Sequence, residues 1–284
     1  FCAIIAGRSF ADSDSMLKTI LARLAFVLYT AAGAWPVSRL MRDQSPPAQG
    51  TVLALGAGGL AAHTVIIGGS LLLANGLYLG FFEAASVVGW LMAALVLVTM
   101  WRRPGHNLTA SGLPVVGLAV ILAAFFGTPR ERIETLPPGI GSHVYTSILA
   151  YSLLALAALQ AILLAFQDRQ LRHKHPRGVM RFLPPLQTME ELLFQTLTLG
   201  FVLLSLSLLT GFVFLDDMFA QHLVHKTVLS IVAWFVFGGL LLGHWRLGWR
   251  GRTAIRLTLA GFVLLMLAYF GSKFVLELIL HETH

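Results

Sequence analysis

The chain has 284 residues, of which 57% are hydrophobic and only 12% are charged, and its mean hydropathy is +0.78. Soluble domains carry about 25% charged residues, so this composition excludes an ordinary soluble protein and predicts an all-α, polytopic membrane protein. The net charge of +7 does not indicate nucleic-acid binding, because the basic residues are concentrated in short loops between apolar segments. The single cysteine, Cys2, excludes an intrachain disulfide and a CxxC thiol-exchange motif.

The N-terminal stretch FCAIIAGRSFADSDS contains an apolar part that is too short for a signal-peptide core. We interpret residues 1–15 as an extension without regular structure, and Met16 is a candidate for the natural start. Residues 16–284 are then predicted to form a single transmembrane domain.

Eight apolar segments follow, and their length predicts about eight transmembrane helices. They do not alternate apolar and polar residues, which disfavours barrel strands. The fourth segment is the shortest and contains Pro114. The approximate ranges are 20–38, 51–74, 79–101, 110–127, 144–166, 195–215, 227–245 and 254–278.

The positions of Lys and Arg predict the topology. Basic residues follow the first, third, fifth and seventh segments, whereas the alternate loops contain few, so the positive-inside rule places the four basic loops in the cytoplasm. An even number of spans then leaves both termini on the periplasmic side. The basic positions are Arg39, Arg42, Arg102, Arg103, Arg169, Arg172, Lys174, Arg177, Arg181, Arg246, Arg250, Arg252 and Arg256.

Several function classes lack a signal in this chain. The longest connection, 167–194, contains His173 and His175 within a basic run, and we interpret it as a solvated cytoplasmic loop, since a metal site would need further ligands nearby. The sequence has no Walker loop, HExxH or glycine-rich dinucleotide motif. No acidic residue lies at the centre of a predicted span, which disfavours an autonomous proton- or cation-coupled transporter.

Histidine is therefore the informative residue type. His63 lies about halfway along the second segment, where an ionisable group is costly unless it is paired or liganded. Two interpretations stay open for His63: a neutral imidazole hydrogen-bonded to a neighbouring helix, or a cofactor ligand within the membrane.

Three further histidines are predicted to share the periplasmic face. His143 opens the fifth segment, His225 opens the seventh, and His281 follows the eighth. Each alone could be an interfacial side chain, but paired imidazoles can hold a haem iron axially while helices shield the macrocycle. The candidate axial ligands are His143 with His281, or His143 with His225.

The seventh segment separates two histidines by about 28 Å of helix, roughly the hydrocarbon thickness. His225 is therefore predicted at one membrane face and His244 at the other. Trp245, Trp249 and Arg250 follow His244 closely, so we interpret this end as an interfacial anchor.

Three stretches of the chain resemble the cytochrome c assembly family of the CcsA type, in particular its short bacterial branch of inner membrane proteins. They are HVYTSILAYSLLALAAL from His143, HKTVLSIVAWFVFGGLLLGHWRLGWRGR from His225, and LAGFVLLMLAYFGSKFVLELILH, which ends at His281. The resemblance covers most of the chain from about residue 17. It implies the family's membrane fold, a bacterial inner-membrane location and a haem of the b type. It also implies that His143 and His281 correspond to periplasmic haem ligands.

One departure from the family bears on function. Haem-presenting members carry a tryptophan-rich WWD motif in the outer loop before the seventh segment, but here that loop reads DDMFAQHLVHK and has no Trp. Asp216, Asp217, His222 and His225 stand there instead. The resemblance thus implies a haem site without implying complete cytochrome c synthesis.

Two hypotheses follow, and neither requires enzymatic activity. The first is a haem-binding or haem-handling protein of cytochrome c biogenesis, whose partners are the lipid bilayer and other cytochrome c maturation proteins. The alternative is an accessory subunit of another membrane protein, such as an ion transporter, with a vestigial haem cleft. Autonomous transport is a third and weaker interpretation, because mid-membrane charge is missing.

Overall fold

The structure is a computed structural model that describes residues 2–71, 81–102, 109–127, 139–172, 185–214 and 224–271. These residues form eight α-helices and, across the described ranges, no β-strand. A π-helical turn, Leu267–Gly271, continues the last helix. The helices are α1 (Cys2–Met41), α2 (Gln49–Leu71), α3 (Phe81–Arg102), α4 (Thr109–Phe126), α5 (Ile140–Arg172), α6 (Leu186–Phe214), α7 (Val224–Leu247) and α8 (Arg252–Met266).

Length and apolar composition identify membrane spans among these helices. Within the described residues, seven helices are long and apolar enough to cross a membrane, and the apolar part of α4, Gly112–Phe126, is shorter. Many apolar side chains on the helix surfaces, such as Leu199 and Phe235, are exposed. Such apolar surfaces can face the lipid hydrocarbon. The helix backbone is also compatible with hydrocarbon, because a helix satisfies its own backbone hydrogen bonds. The predicted polytopic helical fold is confirmed.

Two helices extend well beyond the apolar segments that predicted them. The connection 167–194 is not a loop throughout: residues 167–172 belong to α5, and residues 186–194 belong to α6. Hydropathy selects only the part of a helix within the hydrocarbon, about 30 Å, whereas a helix of 33 residues such as α5 is about 50 Å long. At the other terminus α1 includes residues 2–15, and their separation from a domain at 16–284 stays a prediction.

The chain divides into two compact units, of which the first contains α1–α4. Helix α1 packs on α2 and α4, and α3 packs on the same two helices. Glycine makes these contacts close: a Cβ at Gly59 would lie 3.0 Å from the ring of Tyr29, and one at Gly117 would lie 3.3 Å from the ring of Phe26. Small residues allow transmembrane helices to approach in this way.

In the second unit each of α5–α8 packs on two of the others, in the cyclic order α5, α6, α7, α8. Contacts define its two ends. The end of α5 meets the start of α8 through Asp168 and Arg252, and we call this the Arg252 end. The start of α5 meets the last turns of α6 through His143 and Ser207, and we call this the His143 end.

Candidate functional site

His143 lies in the first turn of α5, a helix that begins directly after Gly139, whose φ of 92° favours glycine. Its side chain is half-buried against α6. The ring Nδ1 lies 2.8 Å from the backbone oxygen of Ser207. A carbonyl oxygen can only accept, so Nδ1 must carry the hydrogen.

This bond fixes the tautomer of the neutral imidazole. With Nδ1 protonated, the lone pair is on Nε2, and no residue in the described ranges is hydrogen-bonded to that atom. A ligating histidine typically donates its other ring N–H to a carbonyl or carboxylate, which orients the ring and raises the basicity of the ligating nitrogen. The environment of His143 therefore has the chemistry of an oriented metal ligand.

Hydroxyl groups reinforce the same helix contact. Ser147 Oγ donates to the His143 backbone oxygen over 2.6 Å and lies 2.6 Å from Ser207 Oγ, which can donate to it. Thr210 Oγ1 lies 3.0 Å from the backbone oxygens of both Leu206 and Ser207, so its single hydrogen is shared between these two acceptors. The contact between α5 and α6 thus holds the backbone on both sides of the imidazole.

Of the other histidines predicted at the periplasmic face, the structure describes His225. His225 lies in the first turn of α7, and its side chain is exposed. His281 lies outside the described residues, as do Asp216, Asp217 and His222. The pairing of His143 with His281 or with His225 stays a prediction.

His63 is completely buried in the first unit, between α1 and α3. Its Nε2 lies 2.9 Å from Ser86 Oγ, and its Nδ1 lies 3.5 Å from Tyr29 Oη. The rings of Tyr29 and His63 make an edge contact, with centroids 6.1 Å apart. Both ring nitrogens thus have partners, as the hydrogen-bonded interpretation expects, and haem ligation through Nε2 would require the contact with Ser86 to break.

The Arg252 end contains a polar cluster that sequence reasoning placed in a loop. Glu190 of α6 is buried and accepts a hydrogen bond from the backbone N–H of Gly251, immediately before α8. Asp168 forms ion pairs with Arg172 and Arg252. The spacing of Asp168 and Arg172 by four residues was the available signal that the helix continues there.

His244 is held at this end by contacts with neighbouring residues. Its Nδ1 donates to the Trp249 backbone oxygen over 2.9 Å, and its ring stacks on Phe194 with centroids 3.6 Å apart. Gly248 follows the last residue of α7 with a φ of 67°. Its N–H donates to the His244 oxygen and the Trp249 N–H donates to the Gly243 oxygen, each over 3.2 Å, in a C-cap that a left-handed glycine permits.

The described residues do not meet the requirements of a metal site built only from side chains. Within the described ranges, no group of three or more His, Cys, Asp or Glu side chains could hold a metal ion. A haem iron held axially needs only one or two protein ligands, because the macrocycle supplies the others. His143 is consequently the described residue whose surroundings fit such a role best.

Comparison with known proteins places the chain among membrane proteins of one family. The model of the cytochrome c assembly protein family matches residues 51–280. The inner membrane protein YpjD of Escherichia coli (strain K12) is 37% identical over 209 residues, which cover 72% of this chain and 78% of that protein. An uncharacterised 28.8 kDa protein of Azospirillum brasilense is 40% identical over 199 residues, covering 69% and 73%. The cytochrome c biogenesis protein CcsA of Guillardia theta is 23% identical over 220 residues, covering 68% and 72%. No solved structure matches.

Proposed function

The chain belongs to the cytochrome c assembly protein family, and on this premise we propose that it is a haem-binding protein of a bacterial inner membrane that handles haem during cytochrome c biogenesis. Its own side chains would bind and orient haem without forming or breaking covalent bonds, so the protein would not be an enzyme. Other cytochrome c maturation proteins would be its partners within the bilayer.

The environment of His143 is the observation that carries this proposal. Its Nδ1–H is held by the Ser207 carbonyl, which directs metal-ligand chemistry to Nε2. The histidine lies in an α5 turn fixed by Gly139 and by the hydroxyl of Ser147, so little ordering would be needed on binding.

The proposed haem is of the b type, held without covalent attachment. When bound, it would supply a redox-active iron. His143 would hold this iron together with His281 or His225. His63 would be a ligand for a haem within the membrane only in a state in which its contact with Ser86 is open.

The positive-inside rule gives the proposed orientation of the protein in the membrane. Among the described residues, the Arg252 end of the second unit contains Arg169, Arg172, Arg246, Arg252 and Arg256, and the positive-inside rule assigns this end to the cytoplasm. The His143 end is then periplasmic, and so are both termini. In this orientation the proposed haem ligands face the compartment in which cytochromes c are assembled.

The absorption spectrum of the detergent-purified protein tests the proposal. We expect a Soret band in oxidised and reduced samples that weakens strongly in His143→Ala, and no change in His222→Ala, which removes a histidine of the same predicted face that we do not assign to haem. A wild-type protein that stays free of haem after expression with added haem would contradict the proposal.

The accessory-subunit alternative is favoured by one sequence feature, the absence of Trp from the loop DDMFAQHLVHK. It predicts a haem-free protein that co-purifies with a second membrane protein in a fixed ratio. Haem content and the stoichiometry of a mild-detergent pull-down, measured on the same preparation, therefore separate the two functions.

A further inference from the structure

A cavity of about 360 Å³ opens at the Arg252 end of the second unit, between the end of α5 and the start of α8. Four arginines and one aspartate line it, together with the apolar side chains of Ala165 and Ile255. The charged lining residues are Asp168, Arg169, Arg172, Arg252 and Arg256.

The charge of this cavity is unbalanced. Four guanidinium groups against one carboxylate give a formal charge of 4 − 1 = +3. Asp168 contacts the Nε atoms of Arg172 and Arg252, at 3.1 Å and 3.3 Å. A guanidinium has five N–H donors, so these contacts orient both arginines and leave their Nη groups for another anion.

The remaining two arginines have no carboxylate partner in the described part of the chain. Arg169 and Arg256 are exposed and line the cavity from α5 and α8 respectively. Holding four guanidinium groups close together around one carboxylate is unfavourable unless a further anion joins them. Planar guanidinium groups match the geometry of phosphate oxygens better than any other side chain.

The helix faces beside the cavity indicate the kind of anion. On α5, Ile162 and Phe166 are exposed and precede Arg169 by seven and three residues, so they lie on the same face. On α8, Val263 is exposed and follows Arg256 by seven residues. Each of these arginines thus stands at the end of an apolar, lipid-facing strip.

We propose that this cavity binds the phosphate of an anionic phospholipid headgroup, whose acyl chains lie along the apolar strips of α5 and α8. Basic pockets between transmembrane helices on the cytoplasmic side are suited to such headgroups. The site would fix the α5–α8 contact to the membrane surface. It is formed at the opposite end of the second unit from His143 and does not depend on haem.

Native mass spectrometry of the full chain in detergent, with phosphatidylglycerol titrated against phosphatidylcholine, tests the proposal. We expect preferential binding of phosphatidylglycerol that weakens at least about tenfold in the double variant Arg169→Gln/Arg256→Gln, since each basic residue near an anionic lipid surface contributes to binding. The double variant Arg246→Gln/Arg250→Gln is the matched control, because it also removes two charges and both arginines are exposed in the same basic region but do not line the cavity. Its affinity should equal that of the wild type.

A second experiment adds inorganic phosphate or glycerol 3-phosphate to the protein with bound phosphatidylglycerol. Neither should displace phosphatidylglycerol at millimolar concentration if the acyl strips contribute; displacement by either would overturn the lipid assignment in favour of a soluble phosphate compound. Equal binding of phosphatidylglycerol to all three proteins would overturn the site itself. Far-UV circular dichroism melts without added lipid verify that the double variant is folded, which is expected because neither arginine forms a described ion pair.

Discussion

His143 donates its Nδ1–H to the backbone carbonyl oxygen of Ser207 over 2.8 Å and so connects the first turn of α5 to α6. The acceptor is a main-chain atom, and hence its position is set by the helix and not by a side-chain rotamer. The histidine ring is oriented before any ligand binds, which lowers the entropic cost of binding.

Two variants of this hydrogen-bonded pair can distinguish haem ligation by His143 from its contribution to helix packing. In His143→Gln an amide can still donate toward the Ser207 carbonyl, but the imidazole lone pair is lost. We expect the haem affinity to fall by at least about tenfold, since even changes beside a metal ligand have effects of this size. In Ser207→Ala the carbonyl remains, so the haem content should equal that of the wild type.

Haem-to-protein ratios from pyridine haemochrome spectra, with thermal unfolding midpoints of the same samples, provide the measurement. Equal loss of haem in both variants would mean that the region acts only through its packing. Unchanged haem in His143→Gln would remove this residue from the ligand set.

The His63 cluster gives a second prediction. Ser86 Oγ contacts Nε2 at 2.9 Å, whereas Tyr29 Oη lies 3.5 Å from Nδ1, near the limit of a hydrogen bond. Ser86→Ala should therefore reduce the unfolding free energy by about 0.6–2 kcal/mol, the range for polar contacts between membrane helices. The reduction in Tyr29→Phe should be smaller. Reversible unfolding in mixed micelles of a mild detergent and sodium dodecyl sulfate measures both; a larger loss in Tyr29→Phe would contradict the hydrogen-bond assignment.

Sequence patterns predicted the helices well but not their polar ends. The apolar core of α6 was evident from residue 195, yet the helix begins at Leu186, because its first two turns lie beyond the apolar window. Glu190 therefore had the signature of a solvated loop residue, and its burial against Gly251 depends on a contact between residues 61 positions apart. Local periodicity carries no information on such a contact.

The environment of His63 could be predicted in part from the sequence. An ionisable residue within an apolar segment needs a partner, so His63 was expected either to bond to a neighbouring helix or to bind a cofactor. The partner hydroxyls of Ser86 and Tyr29 have no distinguishing pattern in the sequence, since Ser and Tyr occur throughout the predicted spans. Haem ligation by His143 stays a prediction, and so does its pairing with His281, which lies outside the described residues.

Two glycines one turn apart on α7 offer a matched test of packing. A Cβ at Gly243 would overlap the Trp249 ring, whereas one at Gly239 would meet nothing within 4 Å. Gly243→Ala should cost about 1–3 kcal/mol of unfolding free energy through overpacking. Gly239→Ala should be neutral or stabilise by up to about 1 kcal/mol, because alanine favours the helix. Chemical unfolding of the two variants in parallel measures the difference, and equal stabilities would show that the Trp249 ring is free to move.

The predicted topology can be tested with single cysteines. In a Cys2→Ser background, Thr135→Cys is expected at the periplasmic side and Gly178→Cys at the cytoplasmic side, because the basic loops stay inside. A membrane-impermeant maleimide added to intact spheroplasts should label only Thr135→Cys. Labelling of both variants after permeabilisation provides the control. Labelling of Gly178→Cys from outside would reverse the orientation and place the candidate haem ligands in the cytoplasm.

Glu190 caps α8 through a tertiary contact, and this gives a prediction with an adjacent control. The carboxylate accepts the Gly251 N–H at the positive end of the α8 dipole, where a negative charge is favourable. Glu190→Ala leaves that half-buried N–H without its partner and should lower the unfolding free energy by about 1–3 kcal/mol. Glu190→Gln keeps an acceptor oxygen and loses only the charge, so its effect should be smaller. Glu191→Gln changes the neighbouring exposed carboxylate and should have no effect above about 0.5 kcal/mol. Unfolding measured in one detergent for all three variants gives the order, and a Glu190→Gln effect as large as that of Glu190→Ala would mean that charge, and not the hydrogen bond, dominates the cap.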